Sequence, residues 1–89
     1  MNRKAVTNVL FVFRENASEE EQERVVGQIL STPGVLTAGR ISPTATKPAL
    51  RRLWYAEVAD NSAAEKLIAM LRGNEAIQSA ELPAQRGLA

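Results

Sequence analysis

Val9-Leu10-Phe11-Val12-Phe13-Arg14-Glu15-Asn16-Ala17-Ser18-Glu19-Glu20-Glu21 is the stretch whose reading decides the fold. Its first part closes a β-branched and aromatic run from Ala5 to Phe13 with apolar residues at both odd and even positions. Alternate residues of a strand point to opposite faces, so this run predicts a strand in the middle of a sheet. Arg14 to Ala17 is a polar turn, and Ser18 with Glu21 three residues on is a capping box. The hydroxyl can accept from the third helical amide, and the carboxylate can reach back. A helix therefore starts at Ser18, with Glu19, Glu20 and Glu21 where the helix dipole favours negative charge.

Working outward, Gln22, Val25, Val26, Ile29 and Leu30 share one face of that helix, and Pro33-Gly34 stops it and turns the chain. Val35 to Ile41 predicts a second strand, which Thr37, Ala38 and Gly39 mark as an edge strand or the place of a bulge. Ser42 to Ala49, small, polar and carrying Pro43 and Pro48, predicts a mobile loop. Leu53 to Val58 alternates as a third strand, with Trp54, Ala56 and Val58 on one face and Leu53, Tyr55 and Glu57 on the other. Asp60, Asn61 and Ser62 all offer caps, and Ser62 with Glu65 repeats the capping-box spacing ahead of the stripe Ala64, Leu67, Ile68, Leu71. Gly73 is expected to close this helix in a left-handed conformation. Ala76 to Leu82 is a short last strand.

The order is βαββαβ. Two interleaved βαβ halves give an α+β, ferredoxin-like sandwich: a four-stranded antiparallel sheet with two helices on one face. With 89 residues there is room for one core. A single domain over 1–83 is expected, with a flexible tail over 84–89, where Pro83 and Gly87 interrupt any apolar period.

Composition narrows function. The chain has no cysteine and no histidine. Disulfides, thiolate metal sites and Ser-His or Cys-His chemistry are excluded by that inventory. Glu19, Glu20, Glu21 and Glu23 have a structural reason to be where they are, and no pair of carboxylates has the spacing of shared acid-base work. No catalytic residue, cofactor or metal ligand is expected. A net charge of +1 is too small for a nucleic-acid footprint. Arg51-Arg52 beside Trp54-Tyr55 could form a phosphate and base platform, but the strand lacks the glycine and aromatic spacing of RNA-binding sheets, and Trp54 is expected in the core. No apolar run is long enough to span a bilayer, and Met1-Asn2-Arg3-Lys4 leads into alternating sequence instead of a signal peptide's apolar stretch. As written, the chain is expected in the cytoplasm, or outside the cell if a leader has been trimmed from it.

The opening quoted above resembles that of subtilisin propeptides and the free-standing propeptide-like proteinase inhibitors: an apolar strand ending in Phe-Lys/Arg, a polar turn, then a Ser-capped acidic helix. Trp54-Tyr55-Ala56-Glu57-Val58, the helix from Leu67 to Arg72, and Asn74-Glu75-Ala76-Ile77 are similar, in order, to later parts of that family. The sequence departs from it at Arg52-Leu53, where a glycine usually adjoins the aromatic, and no protease domain follows in the chain given. The resemblance implies a binding module that inhibits or chaperones a subtilisin-type serine protease. Leu53 and Tyr55 would belong to the docking face of the sheet, and Gln85, Arg86, Gly87, Leu88 and Ala89 would enter the protease cleft as an extended strand. The alternative is a self-associating ferredoxin-like module that binds a small ligand or a protein through its sheet face, because Leu53 and Tyr55, joined by either Leu10 and Val12 or the two phenylalanines, would leave that face apolar.

Overall fold

A computed structural model describes residues 7–82. Its elements are β1 (Thr7–Phe13), α1 (Glu19–Leu30), β2 (Val35–Arg40), α2 (Pro48–Arg51), β3 (Leu53–Val58), α3 (Asn61–Arg72) and β4 (Ile77–Glu81). The strands form one sheet in the order β2-β3-β1-β4, all neighbours antiparallel. Each βαβ half thus skips one strand and the halves interleave, as the ferredoxin-like arrangement requires.

The register follows from which side chains must be hidden. β1 pairs with β3 so that Phe11 faces Trp54 and Val9 faces Ala56. β4 adds Ala80 beside Phe11 and Ile77 beside Phe13. All of these are buried, together with Val25, Val26 and Ile29 of α1 and Ala64, Leu67 and Leu71 of α3. Phe11, Phe13 and Trp54 pack as an aromatic cluster, with Phe11 and Trp54 stacked at 6.5 Å and Phe13 edge-on to both at 5.7 and 6.1 Å. A shift of one residue in either ladder would turn these rings out to solvent.

Local chemistry fixes the helix ends. Ser18 Oγ accepts from the Glu21 amide at 3.0 Å, so α1 starts where the capping box places it. Leu30, expected on the buried face, lies at the helix end and is 48% exposed. Gly34 reverses the chain at φ 91°, a conformation that favours glycine, and a Cβ there would come within 2.8 Å of Ala63 Cβ.

Three expectations are corrected. The cap of α3 is Asp60, whose side chain accepts from the Ala63 amide at 2.8 Å, and Ser62 lies inside the first turn. Asp60 wins because its extended backbone is already in the capping conformation. Gly73 is right-handed, at φ −87°; Asn74 makes the turn instead, accepting the Ala76 amide on Oδ1 at 2.8 Å. The connection from Ser42 to Ala49 ends in helix: Pro48 opens the single turn α2, an N-terminal position that needs no amide hydrogen. β2 is an edge strand and its ladder slips between Val35 and Thr37, so both the edge and the bulge expected there are present. Among the described residues no helix is long and apolar enough to cross a membrane.

Candidate protein-binding face

With Trp54, Ala56 and Val58 committed to the helices, strand alternation turns Leu53, Tyr55 and Glu57 to the other side of the sheet. Leu10 stands opposite Tyr55 and Val12 opposite Leu53, while Asn8 pairs with Glu57. The open face is therefore built on Leu10 and Val12, with the phenylalanines on the covered side. Ile41, 46% exposed, follows β2, and its amide donates to the Leu53 carbonyl at 3.1 Å. Asn8, Leu10, Ile41, Tyr55 and Glu57 line a shallow concavity on this face. Glu81 of β4 stands beside Leu10, and Ser79 beside Val12.

Tyr55 owes its position to Gly39. The two are register partners, and a Cβ on Gly39 would stand 3.1 Å from Tyr55 Oη and 3.2 Å from Cε1. The missing side chain lets the phenol lie across β2 instead of standing upright. Glycine in a strand often marks such a close approach, and that was the signal by which the sequence could have revealed the seat of Tyr55.

Of the residues the sequence singled out for docking, Leu53 and Tyr55 share this face. Gln85, Arg86, Gly87, Leu88 and Ala89 lie outside the described residues. The described chain ends at Leu82, one residue beyond Glu81.

The covered side carries a polar cluster at the start of α1. Trp54 Nε1 donates to Gln22 Oε1 at 3.1 Å, and Gln22 Nε2 donates to the Ala17 carbonyl at 3.2 Å. Gln22, 3% exposed, is thus the buried acceptor that the indole needs. Arg40 lays its guanidinium over the Trp54 ring, 4.6 Å from the centroid, and its Nε donates to the Arg51 carbonyl. Arg51 grips the Glu19 carboxylate through two nitrogens and also donates to the Ala45 carbonyl at 3.1 Å. A second Arg40 nitrogen lies 3.5 Å from Glu19, close enough for attraction and without the geometry of a hydrogen bond. The hydrogen bond from Arg51 holds the Glu19 carboxyl below its usual range, and the charges of Arg51 and Arg40 act in the same direction.

This cluster takes apart the base platform weighed from the sequence. Arg51 is engaged with Glu19, Trp54 is buried, and Tyr55 is on the opposite face. Nor does any group of three or more acidic side chains converge as a metal site among the described residues.

Strand order, register and the uncovered apolar face define the class: a small α+β domain of ferredoxin-like topology with its helices on one side of the sheet. A scan against protein-family models, a search of curated proteins and a search of solved structures each gave no match.

Proposed function

We propose that the protein is a binding module that docks its open sheet face on a subtilisin-type serine protease and inhibits it, in the manner the resemblance to subtilisin propeptides implies. The observation that carries this is the joint placement of Leu53 and Tyr55 with Leu10, Val12 and Ile41 on the side no helix covers. Removing such side chains from water contributes on the order of 1.5–3 kcal/mol for each one fully buried. A handful of them can therefore anchor an interface around a central aromatic. Residues 85–89 follow in sequence from the β4 end, and in this reading they occupy the cleft as an extended strand held by backbone pairing.

Titration of subtilisin with the purified full chain tests it, with inhibition and cleavage of the chain followed together. Tight inhibition that is reduced by Tyr55→Ala and abolished by removing residues 84–89 is the expected result. Rapid digestion without inhibition would sink the protease reading. Equal inhibition by the shortened chain would sink the role of the tail alone.

A further inference from the structure

The sheet has two edges, and they are finished differently. On the β4 edge, Arg72 Nε donates to the Ala80 carbonyl at 3.2 Å, and Glu81 places a charge near the strand end. Both features blunt pairing with another chain. On the β2 edge the sequence is uncharged: from Leu30 to Thr46 the single ionised residue is Arg40, in a chain of which 24% is charged. That one charge is turned inward over Trp54, its side chain 15% exposed. What β2 and the residue after it show to solvent is Leu36, 56% exposed, the uncharged Thr37, and Ile41, 46% exposed.

Among the described residues no strand pairs with the outer side of β2. The Ile41 amide bonds to Leu53, and hydrogen-bonded positions alternate in an antiparallel ladder, so Gly39 and Thr37 bond inward as Ile41 does. Ala38 and Arg40 therefore direct their backbone amides and carbonyls away from the sheet.

We propose that β2 pairs with β2 of a second copy of this chain, antiparallel about a two-fold axis at Gly39, to join two four-stranded sheets into one. A strand segment without exposed charge meets no repulsion from its own copy, whereas a charged partner would find nothing to pair with. This register sets Thr37 opposite the second copy's Ile41 and Ala38 opposite its Arg40, keeping the two arginines apart. Gly39 faces Gly39 at the axis, which brings the two Tyr55 rings, each lying across its own Gly39, to either side of the seam. The open faces become one continuous surface and remain uncovered. Pairing by edges is thus distinct from stacking by faces and independent of the protease reading.

Sedimentation equilibrium of the full chain, from micromolar to millimolar concentration and with no protease present, tests the proposal. The expected mass is twice 9.7 kDa. Ala38→Pro removes an outward amide and leaves the ladder to β3 intact, as proline on an edge strand does. Leu36→Lys puts a charge on the exposed margin. Each is expected to weaken the dimer by about tenfold or more, a difference of about 1.4 kcal/mol, with the circular dichroism of the fold retained. If Ala38→Pro does not fold, Leu36→Lys decides alone. Leu53→Ser, on the open face, should leave the dimer intact. A monomer at every concentration, or a dimer lost with Leu53→Ser and kept with Leu36→Lys, would overturn the proposal.

Discussion

Trp54 and Tyr55 are neighbours on one strand and have opposite surroundings. Trp54 is 6% exposed, stacked on Phe11, covered by the Arg40 guanidinium and satisfied at its indole nitrogen by Gln22. Tyr55 lies on the far side of the same sheet, across Gly39, and among the described residues the helices pack on the other side. Both faces of the two central strands are apolar, so hydropathy alone does not separate them. What separates them is commitment. The covered face has packed aromatic rings and a buried Gln22 that accepts from the Trp54 indole and donates to the Ala17 carbonyl, whereas the open face has a shallow apolar concavity with Asn8, Glu57 and Glu81 at its margin. The first arrangement serves stability, and the second is the one on which the proposed docking rests.

The largest expected effect breaks this comparison if it is false. Phe11→Ala removes a ring that is 1% exposed. It should cost about 3–5 kcal/mol, a large share of the stability of a domain whose total is on the order of 5–15 kcal/mol. Tyr55→Ala, one strand away on the other face, should cost about 1 kcal/mol or less. Urea unfolding of the two variants measures the difference. Comparable losses would mean that the open face is part of the core and has no area to give to a partner.

Gln22 sharpens the same comparison from the polar side. Gln22→Ala leaves the Trp54 indole hydrogen buried without an acceptor and should cost about 1–3 kcal/mol. In a Trp54→Phe background the donor is gone, so the further cost of Gln22→Ala should shrink. That coupling, read from a double-mutant cycle, is the signature of a specific buried bond. Additive losses would show that Gln22 acts only by filling space.

How much of this the sequence makes legible follows from the range of each interaction. Strand alternation separates Trp54 from Tyr55 in the sequence, and the spacing of Ser18 and Glu21 marks the start of α1, because both signals are local. Which face of β1 is covered is not legible: Leu10 and Val12 alternate with Phe11 and Phe13, and the choice is made by Trp54 of β3 and by Ile77 and Ala80 of β4, all distant in sequence. Gln22 itself read as a polar residue on an apolar helix face, and only its partner explains it. The cap at Asp60 was one of three adjacent candidates, and α2 is a single turn, too short to show a period. Alternation along β3 is enough to put Leu53 and Tyr55 on one face, while the seat of Tyr55 on Gly39 depends on the pairing of β2 with β3.

The smallest expected effect lies at the rim of the covered face, where Glu19 joins α1 to the segment that carries Arg51. Its side chain is 53% exposed, so the pair is a surface one, weakened by salt and of small worth. Its sign is nonetheless fixed. Arg51 holds the Glu19 carboxyl below its ordinary value of 4.5, so the folded state favours the ionised form. A depressed carboxylate contributes stability that is present above its unfolded value and lost as the pH falls through its folded value. Glu19→Gln, which carries no charge at any pH, should melt lower than the parent near neutrality. The two melting temperatures should then converge as the pH drops below 4.5. Melting curves for both proteins at a series of pH values give the difference directly. A gap that persists undiminished into acid would place the contribution of Glu19 in its contacts or its helix position, and the rim of the covered face would then be held by packing and by the stacking of Arg40 on Trp54, as its centre is.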